Sequence, residues 1–253
     1  RKGEKTLLVI TKGFKDALEI AYQDRSNIFA KKPIKPQNLY KKVLEVEERI
    51  DSDGNILEKL NLTKVKEDLI KFKSRGFKSL AIVLMHGYKF KKHEKLIEEI
   101  ALKIGFDQIS ISSKVSPLVK IVCRGDTTVA DAYLSPVLNK YIQNFTSNLN
   151  SSLNNNNKLK QSVYFMMSSG GLTSAVNLKG KDSILSGPAG GVVGSVKTIK
   201  SLGINKIINF DMGGTSTDVS HFNKDYERKN ENVIAGTRIT SPMLDIHTVA
   251  AGG

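Results

Sequence analysis

The chain has 253 residues, 40% of them apolar and 25% charged, with a formal net charge of +14. That length can bury one large core or two smaller ones. No run of about 18 apolar residues is present to cross a membrane as a helix, and the opening Arg1-Lys2-Gly3-Glu4-Lys5 lacks the apolar stretch and small-residue cleavage site of a signal peptide.

The positive charge raises a nucleic-acid reading, but the lysines of 64–78 and 89–103 are interleaved with acids and show no aromatic stacking pattern. They read as solvated faces, with no nucleic-acid partner expected. The single cysteine, Cys123, cannot form an internal disulfide, which fits a reducing cytosol. It reads as a small buried thiol rather than a nucleophile. The chain starts with arginine and stops at Ala251-Gly252-Gly253. Both ends read as cut, which makes the chain an internal piece of a longer polypeptide.

In chain order, Thr6 to Ile10 predicts a short strand leaving through Lys12-Gly13, and Phe14, Leu18 and Ala21 recur at helical spacing. Ser52-Asp53-Gly54 between Val43–Asp51 and Asn55–Leu60 predicts a hairpin. A helix is expected over 64–73, with Val65, Leu69 and Phe72 on one face. The unbroken apolar run Leu80 to Met85 predicts a strand covered on both sides. A helix over 92–104 and a strand over 108–112 continue the alternation of an α/β layer. From Thr127 to Leu149 the pattern is helical, with a boundary or kink expected at Pro136. Residues 150–160 are polar and low in complexity, with four consecutive asparagines, and read as a surface loop. A strand over 163–167 ends in Ser168-Ser169-Gly170-Gly171. Residues 192–199 read as helical, preceded by Ser186-Gly187-Pro188-Ala189-Gly190-Gly191, in which Pro188 suits a first turn. A strand over 207–210 then runs into Asp211-Met212-Gly213-Gly214-Thr215-Ser216-Thr217-Asp218-Val219.

That last segment is the sharpest chemical signal. A strand delivers Asp211 at its carboxyl end, and Gly213-Gly214 make a turn whose N–H groups can face an anion without Cβ obstruction. Thr215 and Thr217 offer hydroxyls to phosphate oxygens. Asp211 or Asp218 would hold Mg²⁺, which binds through few carboxylates plus phosphate oxygens. The alternative is a plain β-hairpin with glycines at its turn.

The segment resembles a phosphate loop of the actin, sugar-kinase and heat-shock chaperone superfamily, in the form carried by the hydantoinase A / oxoprolinase family. Further blocks carry the resemblance in order: Thr11-Lys-Gly-Phe-Lys-Asp16, Glu48-Arg49-Ile50 with Gly54, and Ala81 to Tyr88 with His93-Glu94. Arg124 with Thr127-Thr128 and Ala132 to Pro136 follow, then Ser169 to Leu172, Leu185 to Gly194, and Leu244 to Gly253. Within the family, Arg1 to Glu4, Val83 to His86, Ile121 to Gly125 and Ala130 to Leu134 look most like the members that cleave 5-oxo-L-proline to L-glutamate with ATP.

The resemblance implies an α/β fold of ribonuclease-H-like lobes, incomplete here. Residues 1–120 would complete a first lobe and its insertion, and residues 121–253 would form the second, carrying the phosphate loop. It implies ATP with Mg²⁺, with K⁺ as a second cation to consider, and phosphorylation of a cyclic-amide oxygen that opens the ring carbon to water. It also implies a homodimer and a hydantoinase B-type half. The family's first Asp-x-Gly-Gly-Thr loop and its adenosine segment are absent from this chain, so the piece alone is expected to be inactive. Members acting on hydantoins or ketones, a non-catalytic nucleotide-responsive module and a broken gene product are the competing readings.

Other candidates keep two readings each. Ser186 and Gly187 would cradle phosphate at a helix N-terminus, or their segment serves close helix–sheet packing. Ser169 and Gly170 lie at a strand's carboxyl end, where α/β sheets bind ligands, or form a simple turn. Arg124 is a fork for a carboxylate or phosphate, or an ion-paired structural residue. Asp245 and His247, flanking Ile246 on one strand face, would place a base or bind a metal. His86 and His93 read as a strand-end and a helix-start residue.

Overall fold

In the computed structural model, residues 2–22, 29, 31, 37–153 and 163–251 are described. The chain divides into two compact units, one of residues 1–139 with 233–240, the other of residues 140–232 with 241–253.

The first unit is built on a parallel sheet in the order β2-β1-β5-β6. Its strands are β1 (Thr6–Thr11), β2 (Tyr40–Val46), β5 (Ser79–Val83) and β6 (Gln108–Ile111). Every residue of β1 and β5 is buried, which explains their unbroken apolar runs. Alternation divides β1 between two cores. Leu7 and Val9 pack with Val65 and Leu69 of α2 (Leu62–Ser74) and Ile97 and Ala101 of α3 (Lys92–Ile104). Leu8 and Ile10 pack with Leu18 of the short α1 (Ala17–Ile20) and Val129 and Ala132 of α5 (Ile121–Leu153). Asn61 caps α2 by accepting from the Lys64 N–H, and Gly105 ends α3 at φ +88.

Three expectations are corrected. The hairpin is smaller than its pattern: only β3 (Arg49–Ile50) and β4 (Ile56–Glu58) pair across Gly54, at φ +99. The preceding β2 belongs to the parallel sheet, and Glu48 turns inward between the two. The second correction is that Pro136 neither ends nor splits α5. Proline leaves the carbonyl four residues back without its helical donor. That carbonyl, on Ala132, instead accepts from the Ser79 hydroxyl at 2.6 Å. Finally, the helix carries through 150–153, part of the expected loop; residues 154–160 lie outside the described residues.

The carboxyl edge of this sheet is closed by buried charges. Arg124 is fully buried, and all five of its N–H bonds are engaged. Nη2 donates to the carbonyls of Leu84 (2.5 Å) and Met85 (2.9 Å), and Nη1 to those of Leu118 (2.6 Å) and Val119 (3.0 Å). Nε donates at 3.0 Å to the Oγ of Ser112, the first residue of the one-turn α4 (Ser112–Val115). Glu94, also fully buried, accepts from the Ser112 hydroxyl (2.5 Å) and from the backbone N–H groups of Leu84 (3.1 Å) and Ser113 (2.8 Å). Beside them, Glu48 accepts from Thr11 Oγ1 and meets His93 Nδ1 at 2.7 Å.

The second unit contains an antiparallel hairpin of β9 (Lys206–Met212) and β10 (Thr217–Asn223). β14 (Ile246–Val249) pairs along the other side of β10, with β11 (Asp225–Tyr226) at its far end. One face packs on α6 (Ser186–Lys200), where Ala189, Val192 and Val196 meet Phe222 and Leu244. A small hairpin of β7 (Tyr164–Met166) and β8 (Leu172–Ser174) turns at Gly170, φ +82. β12 (Arg228–Ile234) and β13 (Thr237–Leu244) form a two-stranded ribbon.

Arg124→Lys is expected to destabilise the chain by about 2–4 kcal/mol, because an ammonium has three donors and leaves buried acceptors unsatisfied. Urea unfolding measures this, and a loss below about 0.5 kcal/mol would overturn the account of the network.

Candidate functional site

The nine-residue segment from Asp211 to Val219 folds as a hairpin, with Gly213 N–H donating to the Ser216 carbonyl at 2.9 Å. Directly opposed residues of an antiparallel pair lie on the same face. Asp211 stands opposite Asp218, which stands opposite Thr248 of β14. The two carboxylates therefore share one row, and Asp218 accepts from the Thr248 hydroxyl at 2.5 Å.

This face is the one covered by α6. A Cβ built on Gly191 would lie 3.3 Å from Asp211 Oδ2, and the Ser195 hydroxyl donates to Asn209 Oδ1 at 2.8 Å. The pairs 195–209 and 191–211 show the helix running against the direction of β9. One helical turn matches about two strand residues, roughly 5–7 Å. The next turn back, at Gly187, therefore lies toward the Gly213-Gly214 turn. The positive end of α6 and the glycine turn thus occupy the same end of the hairpin.

Both are open. Gly187, Gly214 and Thr215 are exposed, and a Cβ on Gly187 or Gly214 would meet nothing within 4 Å. Pro188 has no N–H to satisfy in the first turn, and Ser186 N–H reaches the Ser183 carbonyl at 3.3 Å. Gly187 and Gly214 supply backbone donors where negative charge is favoured. Thr217 differs from Thr215: it is buried, and its hydroxyl donates to the Ala251 carbonyl.

Ser169 and Gly170 form the β7–β8 turn, close to α6: a Cβ on Gly170 would lie 3.2 Å from Val193 and from Leu244. The neighbouring Ser168 is the more constrained residue. Fully buried, it donates through its N–H and hydroxyl to the Asp182 carbonyl, and its hydroxyl accepts from Leu185 N–H. Its carbonyl accepts from Leu244 N–H at 2.8 Å. Ser168 thereby fixes the entry to α6, and the serine-glycine string around it is the only mark it leaves in the sequence.

His247 is not brought to the carboxylates. It stands opposite Val219, which stands opposite Phe210, on the other face of the sheet. Asp245 pairs with Lys229 at 2.7 Å. Among the described residues, no group of three or more His, Cys, Asp or Glu is placed to hold a metal, so Asp211 and Asp218 would need phosphate oxygens to complete a magnesium shell. Cys123 is buried, with its sulfur 2.7 Å from the Tyr22 hydroxyl.

In the first unit, burial raises the Asp126 carboxyl to about 7, against the attraction of Arg238. Burial, helped by Glu19, Asp126 and Asp16, raises Tyr40 to about 12.

The comparisons with known proteins cover the whole chain. Residues 124–253 match the family model described as Hydantoinase/oxoprolinase, and residues 1–105 match that of the Hydantoinase/oxoprolinase N-terminal region. The chain is 42% identical to 5-oxoprolinase of Dictyostelium discoideum and 44% identical to 5-oxoprolinase 1 of Arabidopsis thaliana. Each alignment takes in all of the chain but 23% and 21% of those proteins, so the chain spans under a quarter of their length. Among solved structures, the ATP-dependent caprolactamase of Pseudomonas jessenii superposes with a TM-score of 0.81 at 26% identity, covering 99% of this chain and 37% of that one.

Asp126 yields a pH prediction. An unfolded aspartate titrates near 4, so between about pH 4 and 7 the folded chain holds a proton that the unfolded chain has released. Stability contributed by this group is then lost as pH rises through that window. Asp126→Asn should raise Tm relative to wild type more at about pH 8 than at about pH 5; equal differences at both would refute the buried placement.

Proposed function

Because the chain belongs to the hydantoinase/oxoprolinase family, we propose that it supplies one phosphate-binding loop and part of the substrate pocket of an ATP-dependent enzyme that opens cyclic amides, with 5-oxo-L-proline as substrate and L-glutamate as product. The observation that carries the reading is the paired Asp211–Asp218 row beneath an open glycine turn and an open helix N-terminus. The substrate rests on likeness to the 5-oxoprolinases.

In this reading Gly214, Thr215, Ser186 and Gly187 bind phosphate oxygens, while the Gly213 and Thr217 bonds hold the turn in shape. Magnesium, when bound with nucleotide, neutralises charge on the phosphates. Asp211 and Asp218 fit that role as the only carboxylates in the row, with Asp218 oriented by Thr248. The loop acts electrostatically, by fixed donors aimed at a phosphoryl group on its way to a cyclic-amide oxygen. Ser169 and Gly170 act by shaping the wall next to α6. Arg124, with no N–H left over, positions loops. Asp245 and His247 receive no part in phosphate binding, because the sheet separates His247 from the carboxylate row and Lys229 engages Asp245.

We further assign residues 1–120 to a first lobe and 121–253 to a second, and place the whole protein in the cytosol, in glutathione metabolism, as a homodimer with a hydantoinase B-type half. A single reduced cysteine is compatible with that compartment.

The test is ATP hydrolysis by the full-length protein with and without 5-oxo-L-proline, for wild type and Asp211→Ala. Stimulation with glutamate release is expected in wild type, with a loss of about 100-fold or more in the variant. Absence of stimulation would redirect the substrate to hydantoins. An Asp211→Ala variant with normal hydrolysis would refute the role of the loop.

A further inference from the structure

The antiparallel sheet of the second unit has two unlike faces. One lies under α6. On the other, β9 presents Ile208, Phe210 and Met212, which are 71%, 67% and 64% exposed. Cross-strand pairing extends this face through Val219 of β10 and Val249 of β14. Large apolar side chains in alternation along one strand form a patch of the kind that folded proteins rarely leave bare. The strand is also an edge: β9 pairs with β10, and among the described residues no strand pairs with its other side. An uncovered apolar edge invites aggregation, and Lys206 is the one cation β9 carries against it.

The hydrogen bonds of the hairpin restrict what can cover it. Gly213 N–H donates to the Ser216 carbonyl, and Lys224 N–H to the Asn205 carbonyl. Bonded pairs of an antiparallel ladder alternate with non-bonded ones. The odd-numbered residues of β9 therefore direct N–H and C=O toward β10, and the even-numbered ones toward the free edge. Asp211, odd-numbered, has its side chain toward α6. In an L-residue these directions are coupled: with the strand running upward and the side chain toward the viewer, the main-chain polar groups point right. Seen from α6 with β9 upward, β10 and β14 thus lie to the right, and the free edge is on the left. β14 runs parallel to β9, since both are antiparallel to β10. It ends by the glycine turn, where the Ala251 carbonyl accepts from the Thr217 hydroxyl.

From that end, a strand descending directly beside β9 would pair the edge and leave the face bare. A strand parallel to β9 needs a crossover of about a dozen or more residues, usually a helix. Such crossovers are right-handed in about 98% of cases, which means a step to the right as seen from the face they cover. The step from β14 to the free edge goes left as seen from α6. Its crossover must therefore pass over the opposite face, the one bearing Ile208, Phe210 and Met212. Bare edge and bare face call for the same occupant. The chain spans under a quarter of the 5-oxoprolinases it matches, so polypeptides of this family hold ample further residues.

We propose that this face is the seat of the polypeptide that follows Gly253 in the full-length protein. An amphipathic helix of that segment lies across Ile208, Phe210 and Met212 and delivers a strand parallel to β9 along its free edge. The proposal stands on exposure and register and is independent of the substrate.

The test uses the full-length protein with p-benzoylphenylalanine in place of Ile208 or of Phe210, irradiated and mapped by mass spectrometry. An adduct within the same polypeptide, to residues after Gly253, is expected from at least one of the two positions. An adduct to a second copy, seen as a covalent dimer, overturns the proposal, as does one to any other part of the polypeptide instead. No adduct from either position leaves the face open to solvent and overturns it too. Phe210→Asp gives a second reading: its Tm should fall by about 3 °C or more, because a carboxylate would be buried against an apolar helix. An unchanged Tm overturns the proposal even where adducts form.

Discussion

The first unit depends on one buried guanidinium. Taking a cation out of water is costly unless its hydrogen bonds are replaced, and burial accordingly pushes Arg124 below its ordinary value, opposed by the nearby Glu94. Its planar fork matches five acceptors on three stretches of chain that lie close together only in the folded state. Four are backbone carbonyls at the ends of loops, groups that a parallel sheet leaves without ladder partners at its carboxyl edge. One side chain thus closes the edge and fixes where α5 begins. Glu94 does the complementary work for N–H groups.

The hairpin of the second unit is governed by a different constraint, the alternation of a strand. Once Phe222 is committed to the core under α6, every even-numbered residue of β10 faces the helix, and Asp218 is carried to that side with it. Cross-strand pairing then brings Asp211 along, and Gly191 lets the helix backbone approach the carboxylate. The same rule sends Phe210, Val219 and His247 to the opposite face. The carboxylate pair and the separation of His247 from it follow from a single choice of register.

Much of this was legible in the residues. Unbroken apolar runs gave β1 and β5, and helical spacing gave α3 with its observed bounds, because burial on both faces and amphipathic stripes write themselves into composition. The glycine turn after an aspartate-bearing strand marked the hairpin of the candidate site. The α/β class and the family followed from those motifs and match the comparisons. What was not legible depends on partners distant in sequence. Nothing near Pro136 announces that Ser79 will serve the Ala132 carbonyl, so the residues there read as a helix boundary or kink. Arg124 and Thr217 look free for ligands, because backbone carbonyls, their actual acceptors, leave no trace in side-chain identity. The short strands β8 and β11 to β13 were missed for a related reason: two to eight mostly polar residues carry little periodicity.

The charged groups singled out in the two units are held in different ways, and the contrast says where chemistry can occur. At the carboxyl edge of the first unit's sheet, the buried charges of Arg124, Glu94 and Glu48 are each held by hydrogen bonds. In the second unit the charged Asp211 and the open glycine turn stand in solvent, where water satisfies them until a ligand displaces it. An exposed carboxylate needs no partner to be tolerated, so the hairpin can present Asp211 without cost to folding. A buried hydroxyl has no such reserve. Among the described residues the hydroxyls of Ser113, Ser116, Thr240 and Ser220 are buried in this way, and they are the harder feature to explain by folding alone.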